Sequence, residues 1–198
     1  GAVMASGDLG DAQLKFAPVE NTEQIEVIKG ASSVVYGSSA LNGVVNVRTV
    51  WPSNTEPQVE INSYVGVFDK PKRKELIWWE DRTNSYFGVF ANYMQKINNF
   101  SIVVGTHVDF NQSYLEQNDE SRYRLSFKTK YQFPKVRGLN LGVNGSIMYE
   151  RSERFFLSED LDEGAYLRAE GSEDRYIRSS IDPHLTYTSN KGDRFSFN

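Results

Sequence analysis

The chain has 198 residues and a mass of 22.6 kDa, room for one domain of ordinary size or a slice of a larger protein. Apolar residues make up 39%, aromatics 13% and charged residues 24%, which excludes a disordered or low-complexity chain. A net charge of −4 argues against a general nucleic-acid binder, and zero cysteines exclude disulfides, thiolate metal sites and cysteine nucleophiles. His107 and His184 are the only histidines, so little material exists for His-based catalysis. The longest apolar run, Tyr86 to Ala91, is far short of the ~20 residues a membrane-spanning helix needs. No basic, apolar leader opens the sequence, so the expectation is either no signal peptide or one that lies upstream.

Residues 1–50 differ in texture from the rest. Gly1 to Asp11 is loose and without period. Ile25 to Ile28 predicts a short strand, closed by Lys29-Gly30. Ala31 to Tyr36 predicts one or two helical turns that Ser32 or Ser33 can cap. Gly43 to Val50 is a β-branched run that predicts a buried strand. Together these elements make a small α+β piece.

After Trp51-Pro52 the period becomes two and stays two. Val59, Ile61, Val65 and Val67 alternate with Gln58, Glu60, Asn62 and Gly66. Phe87, Val89, Ala91 and Tyr93 share one face of the next strand, and Phe100, Ile102, Val104, Val108 and Phe110 share one face of the third. Tyr123, Leu125, Phe127 and Tyr131 oppose Arg122, Arg124, Lys128 and Lys130. Leu139 to Tyr149 and Ile177 to Tyr187 repeat the pattern, and Phe195 and Phe197 open a seventh strand. These are half-buried antiparallel strands, predicted at about 11–14 residues against a usual ~5–6.

The connections alternate in length. Asn98-Asn99, Pro134 to Gly138 and Ser189 to Asp193 are short, whereas Asp69 to Ser85, Ser113 to Glu120 and Glu153 to Arg175 are longer loops. Short turns at one end and loops at the other are the habit of outer-membrane barrels, and aromatics at strand ends (Phe100, Phe110, Phe133, Tyr149, Tyr187, Phe195) suit their interfacial girdles. Alternation alone is symmetric, however. The apolar face could meet lipid outside a barrel or a core inside a soluble one.

The stretch from Ile25 to Thr49 resembles the end of the plug domain of TonB-dependent outer-membrane receptors. The family pattern is a strand ending in Glu-x-x-Arg/Lys-Gly, a short helix ending in Tyr-Gly, a Gly-Gly or Asn-Gly turn, then Val-Ile-Asn-Ile-like residues. Glu26, Lys29, Gly30, Tyr36, Gly37, Asn42, Gly43, Asn46 and Thr49 occupy those places, and Pro18-Val19-Glu20 fits the approach. Ala31 stands where many members have Pro, and Asn42 where many have a first Gly. The wording is most similar to receptors of Bacteroidetes-type bacteria. The resemblance is specific for residues 18–50 and architectural for 51–198. It implies that Glu26 and Lys29 help seat the plug, the basic residue by contacting carboxylates of the barrel wall. Gly30, Gly37 and Gly43 punctuate the turns, where a Cβ would crowd the backbone or forbid positive φ.

Other motifs carry less. Gly30 and Gly37 lack the Gly-Lys-Ser/Thr sequel of a phosphate loop. His107 with Asp109 and His184 with Asp182 sit on polar strand faces and read as wall residues rather than metal ligands. The stretch Glu153 to Arg175 has eight acids against three arginines and reads as a solvated loop, with Ca²⁺ at Asp160, Asp162 and Glu163 as the alternative. Lys70, Lys72, Arg73 and Lys74 precede Trp78-Trp79, an exposed pair expected to anchor at a headgroup interface or to contact ligand. No catalytic residue, metal site or cofactor can be nominated.

The expected fold is therefore mostly β. Residues 1–50 form the C-terminal part of a plug, and residues 51–198 supply the first seven or so up-and-down strands of an incomplete transmembrane barrel. Most of the plug and the TonB-recruiting segment are expected before Gly1, and the remaining strands after Asn198. What the resemblance implies is uptake of a scarce nutrient (siderophore, cobalamin, glycan or peptide) across the bacterial outer membrane. Its partners would be TonB, outer-membrane lipid and a surface lipoprotein. The alternatives are a soluble β-barrel or sandwich binding a ligand in its sheet, and an uncoupled outer-membrane channel.

Overall fold

The computed structural model describes residues 19–29, 43–79, 82–162 and 164–197. The chain divides into two compact units, Gly1–Trp51 and Pro52–Asn198. In the first, a 3-10 turn (Val19–Asn21) leads into β1 (Thr22–Lys29), which pairs antiparallel with β2 (Gly43–Thr49). Glu26 lies opposite Asn46 and Lys29 opposite Gly43. The Val50 N–H donates to the Asn21 carbonyl at 2.9 Å and closes the hairpin's open end. The expected helical turns at Ala31 to Tyr36 lie outside the described residues, as do Gly30 and Gly37.

The second unit is one seven-stranded antiparallel sheet in chain order: β3 (Gln58–Val67), β4 (Ser85–Ile97), β5 (Phe100–Asn111), β6 (Glu120–Gln132), β7 (Leu139–Ser158), β8 (Arg168–Thr188) and β9 (Arg194–Phe197). Every strand pairs with its predecessor, the up-and-down meander that the hairpin-length turns predict. Asn98 (φ 52°), Gly138 (φ 87°) and Gly192 (φ 92°) take the left-handed conformation in the three short turns. The β3–β4, β5–β6 and β7–β8 loops gather at the opposite end.

One expectation needs correction. β7 and β8 have 20 and 21 residues, and the connection between them is residues 159–167 rather than Glu153 to Arg175. Cross-strand charge pairs replace the apolar face there. Arg151 Nε donates to Glu173 Oε1 at 3.0 Å, and Arg154 Nε lies 2.8 Å from Asp174 Oδ2. The hairpin thus continues beyond its apolar stretch as a charged extension.

The two faces of the sheet are inverted relative to a water-soluble domain. On one face the charged and polar residues are shielded: Arg124 is 3% exposed and Glu150 2%, with Lys128, His107, Ser126 and Asn92 also buried. On the other face the aliphatic residues are bare, with Val65 76% exposed and Ile181 74%. A soluble protein hides the second kind and displays the first, because each square ångström of apolar surface left in water forgoes ~25 cal/mol. The apolar stretches Leu139 to Tyr149 and Ile177 to Tyr187 each cover roughly 33 Å of strand at about 3.3 Å per residue. At a barrel tilt of about 40° that becomes ~25 Å, the height of an outer-membrane apolar band.

Aromatic rows bound this band. Towards the loops, Phe110 and Tyr123 pack edge to face at 5.6 Å and Tyr123 lies 6.2 Å from Tyr149. Towards the turns, Tyr131 meets Phe133 at 5.1 Å and Tyr187 stacks on Phe195 at 6.5 Å. No helix among the described residues is long and apolar enough to cross a membrane, which has no bearing on crossing by strands.

Candidate functional site

The strand register aligns the shielded face into rows. Tyr64, Gly88, Asp109, Arg122, Glu150 and Tyr176 lie side by side across β3 to β8. The Tyr64 hydroxyl donates to Asp109, and Arg122 Nε donates to Glu150 Oε2 at 3.1 Å while its Nη2 meets Glu120. The next row holds Phe90, His107, Arg124, Met148 and Arg178. Below it Asn92, Gly105, Ser126, Ser146 and Ser180 form an uncharged polar strip, where Ser146 Oγ and Ser180 Oγ are 3.1 Å apart. Small residues keep this wall thin. A Cβ on Gly88 would stand 2.2 Å from the Tyr64 ring, and one on Gly66 2.1 Å from the Tyr86 ring, so each tyrosine lies over its partner glycine. His107 packs edge-on against Phe90, and His184 lies over Gly142. Among the described residues no cluster of three His, Asp or Glu side chains could hold a metal ion.

At the loop end the three long connections are tied together. Trp78 Nε1 donates to the Tyr114 carbonyl at 2.8 Å, and Asn84 Nδ2 to the Ser113 carbonyl at 2.7 Å. The Glu116 N–H donates to the Tyr166 carbonyl at 2.9 Å, and Arg73 pairs with Asp162. Tyr114 sits between Phe68 and Tyr166, at 5.7 and 5.3 Å. The tryptophan pair is not the exposed one that the sequence suggests. Trp79 is 2% exposed and meets Trp78 edge to face at 5.6 Å, with the Arg82 guanidinium 4.8 Å from the Trp78 ring centre. Trp79 is buried and Trp78 half-buried, and both take part in the cohesion of the loops. Trp79→Ala is expected to cost ~3 kcal/mol locally and to speed hydrogen exchange of the Glu116 amide about a hundredfold, measured by mass spectrometry.

The charged extension of β7 and β8 lies beyond the apolar band and titrates. The Arg175 guanidinium, bonded at 2.6 Å, holds the Glu173 carboxyl below its ordinary range, and Arg151 adds to this. A carboxylate whose pKa is depressed on folding contributes stability above the unfolded pKa and loses it as pH falls through the folded value. Acidification below the ordinary Glu range is therefore expected to raise hydrogen exchange in residues 150–158 and 168–176, while residues 139–149 keep their protection.

In the first unit, Glu26 accepts from Asn46 Nδ2 at 2.9 Å and pairs with Arg48 Nη2 at 3.1 Å. Sequence reading missed Arg48, although its parity with Asn46 in β2 was the signal. Lys29 ends β1, and Gly43 opens β2 opposite it.

Comparison with known proteins finds one family for the N-terminal residues. Residues 1–44 match the TonB-dependent Receptor Plug Domain. The likeness to TonB-dependent receptor plugs covers residues 1–44 of the 198. It is 36% identical over 78 residues to the vitamin B12 transporter BtuB of Vibrio vulnificus, covering 39% of this chain and 12% of that protein. Against the vitamin B12 transporter BtuB of Photobacterium profundum it is 37% identical over 51 residues, covering 26% of this chain and 8% of the other. The chain thus spans a small part of the length of the curated relatives it matches. No solved structure matches. The open antiparallel sheet of β3 to β9, following a plug, agrees with the partial-barrel architecture of a TonB-dependent receptor fragment.

Proposed function

We propose that this chain forms the plug end and the first wall strands of an outer-membrane transporter that takes up a scarce nutrient with energy relayed by TonB. The bare apolar face of β3 to β9 would meet lipid, and the shielded Arg122, Arg124 and Glu150 would face the lumen. The single observation that carries this reading is the inversion of the sheet, with ions hidden and aliphatics exposed. A soluble binding module offers no reason for it. Glu26 and Lys29 are the residues we assign to plug seating. Glu26 is braced within its hairpin by Arg48, and the assignment of Lys29 rests on the family resemblance.

The transported molecule is a small nutrient. Cobalamin is the first to try, because two similar proteins are named vitamin B12 transporters. Siderophores, glycans and peptides follow, and a surface lipoprotein is the partner to look for beside TonB. The test is fractionation of the source cells with an antibody against this region. A band several times larger than 22.6 kDa in the outer membrane, with mobility that shifts on heating, supports the proposal. A soluble band at 22.6 kDa overturns it.

A further inference from the structure

Two tyrosines break the pattern of the shielded face. Arg124, Lys128 and Glu150 are hidden there, yet Tyr64 is 38% exposed and Tyr86 36%. Both belong to that face by register, Tyr64 in the row of Asp109 and Arg122, Tyr86 in the row of Asn111 and Glu120. Each lies across a glycine of the neighbouring strand, Tyr64 over Gly88 and Tyr86 over Gly66. A ring laid over a backbone without a side chain turns one face to the sheet and the other away from it. Covering the glycine uses only the first face. The second is a flat apolar surface, open on the polar side of the wall.

The rings are held in place and continue into a series. The Tyr64 hydroxyl donates to Asp109 of β5, so this ring points into the sheet and not over the β3 edge. Tyr64 and Tyr86 have ring centres 6.4 Å apart, and Phe68 lies 5.5 Å from Tyr86. Tyr114 follows at 5.7 Å from Phe68, and Tyr166 at 5.3 Å from Tyr114. Tyr114 is again exposed. Aromatic surface thus runs from the wall to the loop end in steps of one ring.

The ions around this track cancel. In the two tyrosine rows and the row on either side, the carboxylates of Asp109, Glu120, Glu150 and Asp174 are matched by the guanidinia of Arg122, Arg124, Arg154 and Arg178. Arg122 is engaged with Glu120 and Glu150, and Arg154 with Asp174. No net charge is left over to favour an ionised ligand. Carboxylate lone pairs and guanidinium N–H groups nevertheless offer acceptors and donors side by side.

From this geometry we infer that the track receives a neutral oligosaccharide, with sugar faces stacked on Tyr64 and Tyr86 and hydroxyls bonded to the flanking ions. The inference rests on the uptake function proposed above and narrows its substrate to the glycan class. A pyranose has an apolar C–H face and a rim of hydroxyls that both donate and accept, the complement of this wall. Repeated aromatic steps suit a chain of sugars better than one sugar. A corrinoid carries axial ligands on both faces of its ring and cannot lie flat on a tyrosine. An anionic siderophore would find no net positive charge.

The test exposes the intact receptor, purified from outer membranes, to an array of neutral oligosaccharides and monosaccharides, and separately to cyanocobalamin. Retention of oligosaccharides over their monosaccharides is expected. For the best-retained oligosaccharide, Tyr64→Ala and Tyr86→Ala are each expected to weaken binding about tenfold by calorimetry, and the phenylalanine variants to stay within about threefold. Should an alanine variant lose its heat-shifted mobility, Tyr86→Leu decides, since it keeps Gly66 covered but removes the aromatic face. It too is expected to bind about tenfold more weakly. An array on which no neutral oligosaccharide is retained overturns the inference, whether or not cyanocobalamin binds. Unchanged affinity in folded alanine or leucine variants does the same. A receptor absent from the outer membrane would instead overturn the uptake function on which the inference rests.

Discussion

Ile181→Arg is expected to destabilise the membrane-inserted receptor by about 2–4 kcal/mol, the cost of an arginine at the midplane of an outer-membrane barrel. Ile181 lies near the middle of the apolar stretch of β8, opposite Gly145, and is largely bare. Its neighbour Ser180 points to the other face, where its hydroxyl meets that of Ser146. Ser180→Arg is therefore expected to cost no more than about 1 kcal/mol, since a wet lumen solvates the charge. The contrast is read from guanidinium titrations of receptor refolded into bilayers. In water the order would reverse in sense: an exposed isoleucine tolerates arginine within about 0.5 kcal/mol. A neutral Ile181→Arg would thus count directly against a lipid-facing sheet.

The second large effect is at a turn. Gly138 and Gly192 both hold positive φ, at 87° and 92°, in the β6–β7 and β8–β9 connections. They differ in what surrounds them. A Cβ on Gly138 would lie 2.1 Å from the Thr188 carbonyl oxygen, whereas one on Gly192 would meet nothing within 4 Å. The Gly138 carbonyl also accepts from the Thr188 N–H at 3.0 Å, joining this turn to the end of β8. Gly192→Ala should cost only the left-handed backbone penalty, roughly 1–2 kcal/mol. Gly138→Ala adds displacement of a fixed backbone atom, for a total of about 3 kcal/mol. Parallel unfolding titrations of the two variants check the difference, which isolates the contact from the conformation.

Much of this architecture can be read from residues alone, for reasons that also show where reading stops. Period two over β3 to β8 reveals the strands because one face differs chemically from the other. It cannot say which face is hidden. Only the burial of Arg124 and Glu150 beside the exposure of Val65 and Ile181 resolves that symmetry. The far halves of β7 and β8 escape the pattern because both faces there are charged: Arg151 and Glu173 on one, Arg154 and Asp174 on the other. Such strands are held by pairing between residues about twenty positions apart, which local contrast does not register. The burial of Trp79 escapes sequence reading for a related reason, since its neighbour Trp78 is tied to Tyr114 of another loop. The plug-like motif, by contrast, is local and dense, and the glycine and charge spacing between Ile25 and Thr49 is enough to mark it.

These 198 residues contain no cysteine, so a probe cysteine placed among them is unique within the region once any cysteine elsewhere in the receptor is replaced. The most direct measurement puts a fluorophore in turn at Ile61, Leu125 and Ile181, and at Asn62, Ser126 and Ser180, in the receptor reconstituted into bilayers. Brominated acyl chains are expected to quench the first three and leave the second three, which aqueous iodide should reach instead. Iodide quenching at Ile61, Leu125 and Ile181 without an effect of brominated lipid would contradict a lipid-facing sheet.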